Sequence, residues 1–376
     1  MDAQTSGHDG TAGRYARQML LRGFGVEGQS RLASSHAMII GAGALGCPAA
    51  DLLVRAGVGR VSLVDRDVVE LSNLQRQTLF DERDARERAP KAEAAARRLR
   101  SVNSGVRVEP IVEHFSPENA ERLLRPHPRP GVVLDCTDNF ATRYLINDVC
   151  VKVGVPLVYA GAVASSGVAM TIVPKSVPNA GERATACLRC VFPEPPASAP
   201  TCDTAGIFAP VSSIVASVQA SEAIKVLLGR LDLLSNTLLS MDLWTNERRR
   251  ISLSDARRED CPCCGRGEFE FLAGRGSQDA RTMCGRGAVQ VAGHAPVDLR
   301  ALAARLRSVA EVHQSEDHLT ATLDVTSGKG GAGAGEGARD GVSRFELTVF
   351  ADGRAIVGGT TDPGIARSVY ARFIGL

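Results

Sequence analysis

Two C-x-x-C pairs, Cys187/Cys190 and Cys261/Cys264, stand about seventy residues apart in a chain of 376. Four thiolates complete a tetrahedral set for Zn²⁺, and with no coordination position left open the ion would be structural rather than catalytic. Doubled spacing of this kind favours metal over redox pairs or chance. Cys263 is an extra thiol inside the second pair and could replace one of the four ligands.

A second signature is Gly41-Ala42-Gly43-Ala44-Leu45-Gly46. It follows an apolar stretch predicted as a strand over 36–41 and opens a helix predicted over 48–56, closed by Gly57. The next predicted strand, 60–65, ends on Asp65. Glycines at 41, 43 and 46 would let backbone amides approach a phosphate at a helix N-terminus, while the acid accepts from ribose hydroxyls. Alone, the pattern is shared by dehydrogenases, methyltransferases and plain tight turns; strand, helix, strand and acid together specify a nucleotide site. No G-x-x-x-x-G-K-[ST] occurs, so a triphosphate here is not held by a P-loop.

Beyond Asp65 runs a polar stretch that ends Leu71-Ser72-Asn73-Leu74-Gln75-Arg76-Gln77, followed by Pro90-Lys91. Hydride transfer has no need of such a run, whereas a triphosphate needs several cationic and amide donors. With Leu134-Asp135-Cys136-Thr137-Asp138-Asn139, Thr201-Cys202 and Ala205-Gly206, and the two cysteine pairs, these motifs stand in an order that resembles the MoeB/ThiF group of activating enzymes, relatives of the ubiquitin-activating (E1) enzymes. The resemblance runs from about Arg14-Tyr15-Ala16-Arg17-Gln18 through Cys264.

The resemblance implies an α/β fold: a Rossmann-like E1 adenylation domain with a mostly parallel sheet and a four-cysteine zinc site, followed by a small α+β domain. It implies that Asp65 binds the ribose of ATP, that Asn73, Arg76 and Lys91 face the phosphates, and that Asp138 carries Mg²⁺. Arg17 would reach the triphosphate from the other subunit of a homodimer. The implied reaction is adenylation of the C-terminal glycine of a ubiquitin-like sulfur carrier (MoaD/ThiS type, ending in Gly-Gly), with pyrophosphate released and sulfur later supplied by a donor such as a cysteine desulfurase. The pathway could be molybdopterin, thiamine or thiolation. Asp135 competes with Asp138 for the metal and could equally be a structural carboxylate bonded to nearby backbone. Cys202 matches a family cysteine that forms a covalent link to the carrier in some branches and is dispensable in another; its other reading is an unreactive surface thiol. Cys47, Cys136 and Cys150 lie in apolar segments and read as core, and Cys284 lacks the surroundings of a sulfur-transfer loop.

The elements that must position these groups alternate strand and helix, as parallel βαβ units do. After 60–65 come a helix at 90–102, a strand at 106–112, a short helix from Ser116-Pro117 to about Arg125, a strand at 131–136, a helix at 139–153, and strands at 155–162 and 168–174. Residues 175–207 are rich in Pro, Ala and Ser and form a long irregular loop. A helix over 210–228 ends at Gly229, and 237–253 reads as a hairpin leading to the second cysteine pair. The domain reading is a disordered tail at 1–13, the adenylation domain at 14–272, a linker at 273–282 and an α+β domain at 283–376, within which 326–340 is a glycine-rich disordered loop.

Composition narrows the partners. With 44% hydrophobic residues, 23% charged and a formal net charge of +2, the chain is globular and lacks the basic surplus of a nucleic-acid binder. No apolar run reaches the length of a membrane span, which gives the expectation of a cytoplasmic protein with no membrane or nucleic-acid partner. The rival readings are a tRNA-modifying relative of the same fold, opposed by charge and by the zinc pairs, an NAD-dependent dehydrogenase, opposed by the run at 72–77, and a scaffold with a dead site.

Overall fold

The computed structural model describes residues 9–125, 129–195, 205–274, 280–283, 288–291, 293, 296–315, 317–326 and 342–374. Two compact units make up the chain, Met1–Ser277 and Gln278–Leu376.

The first unit is built on an eight-stranded sheet. Its strands are β1 His36–Ile40, β2 Arg60–Val64, β3 Arg107–Ile111, β4 Val132–Asp135, β5 Leu157–Val163, β6 Ser166–Ile172, β7 Thr237–Asp242 and β8 Glu247–Ser252. They are ordered β3-β2-β1-β4-β5-β6-β7-β8. β1 to β5 pair in parallel, and β6, β7 and β8 continue the sheet antiparallel. β1 is buried at all five positions, as a central strand covered on both faces must be. One face packs on α3 (Gly46–Ala56), α5 (Lys91–Val102) and the long α9 (Ala209–Leu227), around Leu53, Leu99, Leu134 and Val215. The other packs on α6 (Pro117–Leu124), α7 (Phe140–Val153) and the single turn α8 (Leu188–Val191), around Ile40, Leu124, Tyr144 and Leu188. Strand order reverses between β1, flanked by β2, and β4, and there an open α/β sheet leaves a crevice beyond its strand ends.

Ser116 caps α6 in a capping box with Asn119, and Pro117 opens the helix. Three helices stand where no helix was expected. α1 (Asp9–Met19) begins within the segment expected as a tail, so 9–13 is helical. α2 spans Gly25–Ala33 and α4 Glu82–Glu87, the latter fixed by a capping box of Asp81 with Asp84. α1 owes its place to tertiary contacts: Asn103 Nδ2 donates to the Tyr15 hydroxyl at 2.8 Å, and Gln18 Nε2 to Gln29 Oε1 at 2.8 Å and Ala56 O at 2.9 Å.

The second unit is a six-stranded antiparallel sheet of β9 (Ala280–Met283), β10 (Ala288–Val291), β11 (Ala310–Gln314), β12 (His318–Thr326), β13 (Val342–Phe350) and β14 (Ala355–Gly358). Their order is β11-β12-β13-β14-β10-β9, and α10 (Leu299–Leu306) and α11 (Pro363–Phe373) pack on the sheet around Leu302, Leu319, Leu347, Val357 and Tyr370. Val349 pairs with Ala355 across the turn at Ala351-Asp352-Gly353. β12 and β13 pair along their whole length, so the glycine-rich segment connects them; its residues 327–341 lie outside those described.

Gly57 closes α3 at φ 84°, and a Cβ there would stand 2.6 Å from Tyr15 Cζ and 2.7 Å from Gln29 Nε2. Gly57→Ala is therefore expected to lose more than about 1 kcal/mol of stability by urea denaturation, because both backbone strain and the seat of α1 are affected. Unchanged unfolding would show that α1 is not held at Gly57.

Candidate active site

The crevice is shaped first by backbone. A Cβ at Gly41 (φ 96°) would lie 2.7 Å from Cys136 O, and one at Gly46 would lie 1.9 Å from Gly41 O, so both positions require glycine. From the turn they form, Ala42 N donates to Asp65 Oδ2 at 2.7 Å, and Asp67 N donates to Asp65 Oδ1 at 2.7 Å. Burial pushes the Asp65 carboxyl up, against Lys91 and these two amides, which hold it down. Lys91 is the first residue of α5; its side chain is 4% exposed and its Nζ lies 3.4 Å from Asp67 Oδ2. Gly41, Gly43 and Gly46, Asp65 and Lys91 thus meet at the C-terminal ends of β1 and β2.

The motif at 71–77 forms a 3₁₀ turn, Leu71–Asn73. Asn73 is buried, and its Oδ1 accepts from Glu70 N at 3.2 Å, so its oxygen caps this turn. Arg76 is half-buried, with Nη1 donating to Ser72 O at 2.9 Å. Gln77 is buried, its Nε2 stands 3.9 Å from where a Cβ on Gly43 would be, and its Oε1 makes no hydrogen bond. A buried acceptor left so beside the glycine turn suits a site that binds a ligand with donors of its own.

β4 brings the third side of the crevice. Asp135 is fully buried, and its Oδ1 accepts from Thr137 N at 3.0 Å and Thr137 Oγ1 at 2.7 Å. Asp135 is bonded within its own turn through Oδ1, while its buried Oδ2 makes no hydrogen bond, and burial pushes its pKa up while Arg143 pulls it down. Asp138 is exposed just beyond the strand, next to Asn139, whose side chain caps α7 by accepting from Thr142 N at 2.9 Å. Two residues here belong to no motif of the sequence. Gln219 of α9 donates to both Asp135 O and Val158 O at 2.8 Å, and Arg143 of α7 donates to Thr137 O at 2.9 Å. Their only sequence signal is a polar residue inside an otherwise packed helix.

Arg17 shares no hydrogen bond or ion pair with these groups. It is exposed on α1, where Arg14 donates to Val102 O at the far end of α5. Lys91 opens that helix, eleven residues and about 16 Å away. Cys202 and Cys284 lie outside the described residues. Burial pushes the Cys47 thiol up to about 12 and those of Cys136 and Cys150 up as well, which makes them inert core thiols at neutral pH.

The Sγ atoms of Cys187, Cys190, Cys261 and Cys264 all lie within 4.8 Å of one another, and three of the pairs are 3.9, 3.6 and 3.4 Å apart. A tetrahedron with Zn–S near 2.3 Å has S···S edges of about 3.8 Å, so the donor set fits a zinc ion. Cys263 lies outside the quartet but at its edge, its thiol interacting with that of Cys187; Asn147 Nδ2 of α7 donates to its Sγ at 3.2 Å, while Asn147 Oδ1 accepts from Leu188 N at 2.9 Å. Arg189, 2% exposed between the first two cysteines, pairs with Glu270 at 2.8 Å and ties the two cysteine segments together a second time.

The model of the ThiF family matches residues 15–263, about two-thirds of the chain. The chain belongs to the ThiF family. A sulfur carrier protein ThiS adenylyltransferase of Bacillus subtilis is 39% identical over 96% of this chain and 99% of that protein, a length that takes in the second unit. A sulfur carrier protein adenylyltransferase of Thermus thermophilus is 42% identical over 67% of this chain and 90% of that protein. Among solved structures, the ThiF-family fold is shared with Escherichia coli MccB in complex with ATP (TM-score 0.56, 24% identity, 67% of this chain and 74% of that one), a likeness of fold alone.

One metal ion per chain is expected by elemental analysis. Cys187→Ser should lose the ion and melt at lower temperature, by more than the surface substitution Arg249→Ala. Metal-free protein that melts as the wild type does would show that the cluster is not a metal centre.

Proposed function

We propose that the chain adenylates the C-terminal glycine of a ubiquitin-like sulfur carrier ending in Gly-Gly, consuming ATP and releasing pyrophosphate, as a cytoplasmic homodimer with a structural zinc ion in each subunit. The observation that carries this reading is the crevice itself, where Gly41 to Gly46, Asp65, Lys91 and Asp138 converge on adjacent strand ends with no P-loop. The names of the Bacillus and Thermus relatives support the substrate class. A sulfur donor such as a cysteine desulfurase would act on the product, through Cys202 in one of its two readings.

The chemistry asks little of a base. A terminal carboxylate, with a pKa near ~3.5, is ionised at neutral pH and attacks the α-phosphate unaided. The protein's work is orientation and offsetting charge on the departing pyrophosphate. In this reading Asp65 holds the ribose, the glycine turn and Asn73 present donors to the phosphates, and Arg76 and Lys91 face the charge. Asp138 would hold Mg²⁺, which when bound offsets charge on the triphosphate.

Arg17 completes the set from a partner. Three residues before it on the same helix, Arg14 lies at the far end of α5, and Leu20, Leu21 and Val26, which follow in the chain, are 84%, 65% and 74% exposed, apolar surface suited to a two-fold contact.

Pyrophosphate exchange into ATP is expected to require a carrier with its terminal Gly-Gly, and Asp138→Ala to abolish it with the fold intact. Equal exchange with a carrier lacking Gly-Gly would overturn the substrate assignment. The trans role of Arg17 is read by mixing two inactive variants, Arg17→Ala and Asp138→Asn, under subunit exchange. One site of each mixed dimer then has both groups, so activity should return to at most about half per heterodimer. Demonstrated heterodimers without activity would refute the trans role and leave Arg17 as a cis or merely structural charge.

A further inference from the structure

Three charged groups stand on or beside the turn between β4 and α7, but only one of them is exposed. Asp138 is exposed, whereas Asp135 is fully buried and Arg143 is 8% exposed. A buried guanidinium is costly unless it is paired and hydrogen-bonded. Here Arg143 Nη2 donates to Thr137 O at 2.9 Å, its carbon Cζ lies 5.1 Å from the Phe140 ring centre and 5.7 Å from that of Tyr159, and its charge acts on Asp135. Thr137 is held from the other side, since both its N and its Oγ1 donate to Asp135 Oδ1. The peptide immediately before Asp138 is therefore clamped between a buried carboxylate and a buried cation, one anchored in β4 and the other in the first turn of α7. Nη1 of the same arginine would be 3.3 Å from a Cβ on Gly161, a tight contact that the glycine in β5 relieves.

We propose that Arg143 is a positioning residue for the nucleotide site: with Asp135 it fixes the turn at Thr137, and so presets the direction in which Asp138 faces the crevice. This rests on the reading of Asp138 given above. The arrangement is one for arginine in particular. A flat guanidinium lies against two aromatic rings while one nitrogen donates to a carbonyl, and an ammonium offers no such fork. Arg143 itself reaches no ligand in this scheme. Its removal should disturb the geometry of catalysis more than the affinity for ATP, because Asp65, Lys91 and the glycine turn stand on other elements.

The test compares Arg143→Gln, Arg143→Lys and Asp138→Asn in carrier-dependent pyrophosphate exchange. It adds a readout free of turnover, the binding of Mn²⁺ to protein saturated with a non-hydrolysable ATP analogue, followed by electron paramagnetic resonance. Arg143→Gln is expected to lower kcat about 100-fold, the order of loss for a reacting group misplaced by an ångström. The KM for ATP should change less than about threefold, and Mn²⁺ should bind at least about tenfold more weakly. Arg143→Lys should recover only part of the loss. If Asp138→Asn abolishes exchange while folded Arg143→Gln keeps wild-type kcat and Mn²⁺ affinity, the positioning role is wrong. A raised KM for the carrier with unchanged kcat would also overturn it, by making Arg143 a substrate contact. If Asp138→Asn itself leaves exchange intact, the failure lies in the nucleotide-site reading on which the proposal stands. Should Arg143→Gln not fold, Thr137→Val removes the Oγ1 to Asp135 bond from the other side of the clamp and is expected to move kcat and Mn²⁺ affinity in the same direction.

Discussion

Between β1 and β4 the chain passes so close to itself that residue 41 has no room for a Cβ, which would stand 2.7 Å from the carbonyl oxygen of Cys136. That contact lets the turn after β1 lie against the end of β4, and the other groups of the crevice take their places from it. Ala42 N, carried on the turn, reaches Asp65 at the end of β2, and Asp65 in turn receives Asp67 N and feels Lys91 at the start of α5. On the other side, Cys136 is followed at once by Thr137 and Asp138. Gln219 fastens the ends of β4 and β5 from α9, and its Oε1 accepts from Cys136 Sγ at 3.3 Å. A close approach of two backbones thus fixes the separation of acid, lysine and second acid across three strands.

The cysteine cluster solves a different problem. The segment after β6 leaves the sheet, and long regular structure resumes only at α9, so chain entropy opposes any fixed path between them. Cys187 and Cys190 stand early on that path and Cys261 and Cys264 follow β8, so the cluster closes a long loop onto the sheet's antiparallel edge. Asn147 and Arg189 bind the same two segments without metal, which leaves α7 seated against both. Downstream, the loop is caught again where Ala164 N donates to Gly206 O at 2.9 Å and Phe208 N to Ala164 O at 2.8 Å.

What can be read from sequence follows from where each signal resides. β1, α3, β2, β4 and α9 are legible because continuous apolar runs and glycine stops are local properties; Gly57 and Gly229 do stand in the left-handed region, at φ 84° and 72°. The cysteine quartet is legible from spacing alone. α2 and α4 are not, since GVEGQSRLA and ERDARE carry few apolar residues, and in α1 the weak stripe of Ala12, Tyr15, Ala16 and Met19 is set among glycine and polar residues. α1 and α4 rest instead on Tyr15 with Asn103 and on the Asp81 cap, partners invisible until the chain is folded. Asp135 and Asp138 can be told apart only when their burial is seen. Arg143 reads as a solvated charge one turn into a helix; what distinguishes it is the pair of rings and the carbonyl that surround it.

Lys91 has a consequence for how the nucleotide site meets its ligand. A helix N-terminus carries the positive end of the backbone dipole, where a carboxylate is welcome and an ammonium is repelled. α5 nevertheless begins with a lysine that is almost wholly buried, answered by Asp67 at 3.4 Å, a long contact for an ion pair. Asp65 stands near enough for its carboxyl to feel the same ammonium, so two carboxylates of the protein face one lysine there. A phosphate brought to that corner would have to draw the lysine away from acids that already hold it, so the pairing seen in the folded protein would weaken, not add to, any affinity there.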